Sequence, residues 1–535
     1  MPDFDLIFTN GWLVDGIHPE PYHGLVAVNE DRIAYIGAPL SDVTAKNIID
    51  AQGYVICPGF IDIHTHSDLS ALSYPQCTNK IFQGVTTEVI GNCGFSTFPV
   101  HVAHRHKHEQ LMQMVDGSGL PIDWHNLDGY ARRAERAAPA LNIAPLVGHG
   151  ALRIAAVDEV ECNQSVTDTR KKMLHLLQES FEQGAFGFTT GLTYTPSGLA
   201  PQDELLELIE CTVRYDRLYA THSRAGGDTS ESEALSEAAD HACRTDVRFQ
   251  YSHLAINQPS QWGNADKVLA RFHRLIDEGI DIAYDIYPYE ASSSALIQHL
   301  PMWIQDDELA TMRSRLADPQ TRRSVIEALR KSWWGGCEGR WMWDRFIVSA
   351  TPVADDLIGR SIAELAAETG VSGEEMVLQL CESFGNQLHI VLHYRMEDDV
   401  RHFIQDDLSV IGSDGLALPE RIEQAHPHPR SYGTFPRVLG YYVRDKSVLS
   451  LNAAIHKMTA APADRLLLRD RGRLKAGNFA DIVVIDPDRI RDRATYVNPT
   501  LRPEGVMTVV VNGQVVMNDG QQTGSRPGRV LRFNE

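Results

Sequence analysis

The stretch PGFIDIHTHSD, residues 58–68, decides the reading of this chain. A short apolar run, 60–66, ends in His64-Thr65-His66. On a strand, positions i and i+2 point to the same face, so two imidazoles stand side by side where the strand stops. The same pattern recurs outward along the chain, with short apolar runs at 85–92, 142–148, 185–190, 218–222, 248–253, 280–286 and 408–414. Helical stretches separate most of them, such as 169–183 (TRKKMLHLLQESFEQ) and 203–216 (DELLELIECTVRYD). Strands alternating with helices indicate βα units and a parallel sheet, and eight units close into a (β/α)8 barrel. Two further apolar runs, 346–350 and 389–393, would make ten, a number that a doubly wound sheet could also use. They are assigned to an insertion between the last two barrel strands.

The two ends of the chain look alike. Residues 4–13 (FDLIFTNGWL) and 506–516 (VMTVVVNGQVV) alternate apolar and polar residues around an Asn-Gly pair, and 480–487 (ADIVVIDP) is another short strand pattern. Such alternation reads as β-hairpins. The expectation is a small β-sandwich from residues 1–57 plus about 470–535, a barrel over 58–469, and an inserted, lid-like segment at 291–345. That segment lacks the barrel's rhythm and carries Trp333, Trp334, Trp341 and Trp343, aromatics suited to covering an apolar group.

Composition bounds the function. The 535 residues are 43% hydrophobic and 22% charged, as in an ordinary globular protein. A net charge of −22 works against binding nucleic acid or an anionic membrane. The eight cysteines form no CxxC pair, the usage of a reducing compartment. The opening MPDFDLIFTNGW has no basic region followed by an apolar core, and no apolar run approaches the roughly 18 residues of a membrane span. The chain is read as cytoplasmic.

Potential metal ligands gather at the strand ends. After His64 and His66, strand two runs into Gly91-Asn92-Cys93-Gly94, strand five ends at His222, strand six at His253, and strand eight at Asp414. A lone histidine at a strand end is more often a hydrogen-bonded structural residue, and a lone buried cysteine more often a small hydrophobe. The constellation is another matter. Imidazole and thiolate with one carboxylate suit zinc, whereas magnesium and calcium want oxygen. Zinc lowers the pKa of a water to about 7 and polarises a carbonyl oxygen. Asp414 is the candidate to move the proton, with a role as a further ligand the alternative. The run His101, His104, His106 and His108 is read as a solvated loop or helix face, with a second metal store the alternative. Glu88, an odd number of residues from Cys93 on strand two, is left outside the site.

These residues resemble the D-aminoacylase, or N-acyl-D-amino-acid deacylase, branch of the amidohydrolases. The resemblance is carried by PGFIDIHTHSD (58–68), GVTTEVIGNCGFS (84–96), GFTTGLTYTP (187–196), THSRAGGD (221–228), YDIYPY (284–289), GSDG (412–415) and HPRSYGTFPRVLGYYVR (428–444), with 457–487 completing it. It implies hydrolysis of the amide bond of a small N-acyl-D-amino acid to a carboxylate and a free amine. It implies one tight zinc on Cys93, His222 and His253, a weaker second site on His64 and His66 with the cysteine shared, and Asp414 as acid/base. Substrate contacts fall to Arg224, Tyr287, Ser293 and Tyr194. Strand four, GAFGFTT, lacks the lysine that bridges two metals in many superfamily members. That absence argues against the alternatives, a hydantoinase- or dihydroorotase-like cyclic-amide hydrolase; a non-catalytic scaffold on the same fold should have lost ligands. Ala255 stands where D-aminoacylases commonly place a lysine, so the requirement for a free substrate carboxylate is left open, as are the acyl group and the oligomeric state.

Overall fold

The computed structural model describes residues 2–157, 166–225, 230–305, 309–331, 341–352, 355–422 and 425–534. Eight strands form one parallel sheet in chain order: Phe60–Asp62, Val85–Ile90, Asn142–Gly148, Gly187–Gly191, Leu218–His222, Phe249–Tyr251, Ile282–Ile286 and Ser409–Ile411. Each is nearly or wholly buried, and both faces are covered, which is why they read as apolar runs rather than as alternation. The sheet closes between its first and last members. Thr65 and Gly415 form a parallel bridge, the His66 amide donates to the Gly415 carbonyl, and the Asp414 amide donates to the His64 carbonyl. The closure seam thus runs through three of the candidate site residues.

A separate cluster fills one end of the barrel. Ile61, Val89, Leu146, Leu218 and Val410 of the strands pack with Leu466 of the helix Ala460–Leu466. Phe533 of the C-terminal tail packs against that cluster, and the tail's Leu531 and Phe533 amides donate to the Ile143 and Gly184 carbonyls. A deeper polar group ties strands one, two and eight. The fully buried Lys80 ammonium lies 2.8 Å from both Asp62 and Glu88 and donates to Ser413 Oγ at 2.9 Å. Glu88 therefore points to Lys80 and Ser67.

Strands from both ends of the chain join edge to edge in one nine-stranded sheet beside the barrel. Ile482–Ile485 lies between Val55–Pro58 and Val506–Val511, joining the C-terminal strands to the N-terminal ones. One face encloses a core of Leu6, Phe8, Val26, Ile56, Ile482 and Val510. The two Asn-Gly pairs differ in role. Asn512-Gly513 is the hairpin turn between Val506–Val511 and Gln514–Asn518. Asn10-Gly11 is not a turn. Phe4–Leu13 is one continuous strand in which Asn10, at φ 63°, bulges out of register with Tyr22–Asn29, and the Ile56 side chain packs onto the bare face of Gly11.

Between barrel strands seven and eight, Ser292–Ala295, Phe346–Ala350 and His389–Leu392 form a three-stranded antiparallel sheet, with helices packed around it. Trp341 and Trp343 do not roof the barrel mouth, contrary to the expectation from sequence. Their rings stack 5.1 Å apart and pack on Phe346, inside the inserted unit. Trp333 and Trp334 lie outside the described residues. No helix among the described residues is long and apolar enough to cross a membrane.

Candidate active site

The barrel mouth opens into a cavity of about 590 Å³. His66, His222, His253 and Asp414 line its floor. His64 and Cys93 lie beneath, 0% and 2% exposed. His64 Nε2 and His253 Nε2 sit 3.3 and 3.4 Å from Cys93 Sγ, and His222 Nδ1 is 2.9 Å from His253 Nε2. With metal–sulfur and metal–nitrogen bonds of about 2.3 and 2.0 Å, a tetrahedral zinc separates such ligands by about 3.6 Å. The donor set and its spacing therefore fit zinc. Two groups of three each bring one donor atom per residue within 4.8 Å of the others, His64 with Cys93 and His253, and His64 with His66 and Asp414; His222 joins the first through its contact with His253.

The local backbone explains how these groups converge. Gly91 has φ 83°, and a side chain there would collide with the Leu146 carbonyl at 2.2 Å. The chain then turns through Asn92–Gly94 with Cys93 at φ 55°. His253 and Asp414 are likewise in the left-handed region, at φ 37° and 52°. Gly191, at the end of strand four, lets the Cys93 carbonyl approach; a Cβ would lie 1.9 Å from it. Left-handed backbone at a residue with a side chain costs roughly 1–3 kcal/mol and collects at functional sites.

Asp285, from YDIYPY, organises two of the histidines. Its Oδ1 is 2.9 Å from His64 Nδ1 and accepts from the His253 amide at 2.7 Å. A carboxylate behind a ligand imidazole fixes which nitrogen faces forward. Asp414 is held from two sides. His66 Nε2 lies 3.0 Å from Oδ1, and Arg430 donates to Oδ2 at 2.6 Å. Burial alone would raise the Asp414 carboxyl, but the Arg430 guanidinium, with the His66 hydrogen bond, holds it well below the usual carboxylate range. Burial would likewise push the Cys93 thiol up, yet the neighbouring His64 and His253 rings and the hydrogen bonds from His222 and His253 hold it well below its ordinary value. Cys93 is thus poised as a thiolate.

Three of the four residues read as substrate contacts, Tyr194, Tyr287 and Ser293, line the cavity. Arg224 does not. Its Nε is 2.9 Å from Glu237 and its NH1 donates to the Gly198 carbonyl, so its charge is spent behind the wall. The guanidinium groups that face the cavity are Arg430, Arg395 and Arg421. Arg395 stacks over Tyr287 at 4.3 Å, and its one hydrogen bond among the described residues is Nε to Asn257 Oδ1 at 3.4 Å. Sequence reasoning missed Arg430, Arg395 and Asp285. Two of them stood inside motifs quoted for the family resemblance; Arg395 had no local signal.

The model of the amidohydrolase family matches residues 47–517. An N-acyl-D-glutamate deacylase from Alcaligenes xylosoxydans xylosoxydans is 36% identical over 99% of this chain and 96% of its own. The chain belongs to the amidohydrolase family. Solved structures agree with that placement. The N-acyl-D-glutamate deacylase of Bordetella bronchiseptica, complexed with zinc and a phosphonate mimic of the tetrahedral intermediate, superposes on this amidohydrolase with a TM-score of 0.82 at 31% identity, covering 99% of each chain. A D-aminoacylase with a binuclear metal centre, in which one metal activates and the second attenuates, matches with a TM-score of 0.82 at 32% identity, covering 99% of this chain and 100% of that one. The protein is a hydrolase of this fold with a metal cofactor. Its strand four, Gly187–Gly191, carries no lysine, so a metal bridge through a lysine of that strand is not available to it.

Proposed function

We propose that this amidohydrolase cleaves the amide bond of small N-acyl-D-amino acids, giving a carboxylate and a free D-amino acid. The observation that carries the reading is the convergence of Cys93, His222 and His253 beside Asp414 on the floor of a cavity lined by guanidinium groups. Cys93, His222 and His253 would hold one tight zinc; His64 and His66, with Cys93 shared, a weaker second ion. Zinc bound there would polarise the acyl carbonyl and make a water a stronger acid. Asp414 does the rest of the proton work. Its Oδ1 takes a proton from the attacking water and passes it to the leaving nitrogen. Arg430 keeps Oδ2 occupied, so the carboxylate is ionised and fixed in direction before substrate arrives. Because that pairing disfavours the protonated acid, the proton is held only between attack and C–N cleavage.

The substrate carboxylate falls to Arg395. It faces the cavity with donors to spare, and Tyr287 lies flat against both it and Arg430. Ala255, which also lines the cavity, offers no charge there. Arg395 would supply, from a different element, the cation that the family resemblance leads one to expect from a lysine at position 255. Tyr194 and Ser293 complete the wall. The test compares N-acetyl-D-amino acids with their C-terminal amides. The native enzyme should prefer the acids, and Arg395→Met should erase that preference. A native preference for amides would contradict the assignment of an N-acyl-D-amino acid as substrate.

A further inference from the structure

The loop after barrel strand four passes close behind His222. Thr193, 8% exposed, places its Oγ1 2.8 Å from His222 Nε2. The other ring nitrogen, Nδ1, faces forward, 2.9 Å from His253 Nε2 and 3.4 Å from the Tyr194 hydroxyl. A neutral imidazole carries one proton, and only the nitrogen without it can bind a cation. With Nδ1 turned to the site, the proton belongs on Nε2, where Thr193 Oγ1 accepts it. We propose that Thr193 is a positioning residue that fixes His222 in the tautomer with Nδ1 bare toward the site, and thereby sets the tightness of metal binding. The inference rests on the reading of His222 as a ligand.

Thr193 is itself held from two directions. Downstream, the loop is clamped by a buried group: Ser197 Oγ to His149 Nδ1 at 3.0 Å, His149 Nε2 to Glu204 Oε1 at 3.0 Å, Arg153 Nε to the same oxygen at 3.0 Å, and Arg153 NH1 to the Pro196 carbonyl at 2.7 Å. His149, Ser197 and Glu204 are all buried, and they do not line the cavity. These contacts tie Pro196 and Ser197 to the helices His149–Ala156 and Gln202–Arg214 and so hold the loop that carries Thr193. From the other side, Gln298 of the inserted segment approaches Thr193 Oγ1 at 3.5 Å. A threonine oxygen has two lone pairs, so it can accept from both His222 and Gln298. The inserted unit thereby reaches the metal-binding floor through two side chains.

Thr193→Val keeps the shape and removes the acceptor. Partners behind a ligand histidine typically affect metal affinity by about 10–100-fold, and the valine variant should lose zinc affinity by that factor in equilibrium competition with a chromogenic chelator. Thr193→Ser should restore affinity to within about threefold of native. The nitrogen-15 spectrum of the zinc-loaded native protein should show the His222 proton on Nε2. Native zinc affinity in Thr193→Val, or a proton on His222 Nδ1, would overturn the proposal. His222→Ala separates the two levels. Loss of tight zinc there with native affinity in Thr193→Val defeats only the role of Thr193, whereas native affinity in His222→Ala removes the ligand reading and this inference with it.

Discussion

Cys93, His253 and Asp414 share a feature beyond their chemistry: each sits on left-handed backbone, at φ 55°, 37° and 52°. Such conformations persist only where surrounding structure dictates them. Here the dictating features are the Gly91 turn, the Asp285 contact with the His253 amide, and the seam bond from the Asp414 amide to the His64 carbonyl. Single substitutions should therefore separate roles cleanly. Cys93→Ala should remove most tightly bound zinc, by elemental analysis, while circular dichroism stays native; Cys93→Ser should also bind poorly, because a hydroxyl is a far weaker zinc ligand than a thiolate. Asp414→Asn should lower kcat by about 10²–10⁴-fold with zinc retained and KM little changed. Near-native turnover in that variant would mean that another group moves the proton. Arg395→Met removes a charge-assisted hydrogen bond of about 1.5–3 kcal/mol, so KM for N-acyl-D-amino acids should rise by about 10–100-fold. The histidines, Cys93 and Asp414 were legible in sequence because each ends an apolar run. Arg430 was not, since it acts from a helix sixteen residues past Asp414 and its partner is fixed only by the fold.

At the level of elements, buried parallel strands are the easiest feature to read, and all eight runs proved to be barrel strands in chain order. The inserted sheet was half legible. Phe346–Ala350 and His389–Leu392 are apolar and were expected as an insertion, but Ser292–Ala295 (SSSA) carries no strand pattern and is extended because it pairs with His389–Leu392. Tertiary pairing overrides a poor local propensity. The face that this unit turns to the cavity is polar, formed by Ser292, Ser293, Ser294, Gln298, Ser349 and Thr351. Trp341 and Trp343 pack on Phe346 instead, so a lid formed by this unit would meet a polar part of the substrate rather than grip an apolar chain. Product bound in the cavity should slow amide hydrogen exchange in 291–305 and 346–352 more than in the barrel strands; equal protection with and without product would mark the unit as static.

The whole molecule joins its two ends through one sheet and closes its barrel through the strands that lead to His64, His66 and Asp414. Cys93, His222 and His253 come from strands two, five and six, so a metal held by them braces the barrel across its diameter. A ligand that binds only the folded state stabilises it by about 4 kcal/mol at a thousandfold excess over its Kd. Chelation should therefore lower the unfolding temperature, and zinc should restore it; the Cys93→Ala variant should show no such response. The central claim, a metal-dependent deacylase of D-amino acids, is tested most directly by offering racemic N-acetyl amino acids to the chelated and the zinc-reloaded protein and resolving the released amino acids by chirality. The account predicts free D-amino acid only, appearing with zinc and absent after chelation. Release of the L-enantiomer, or equal activity without metal, would contradict it.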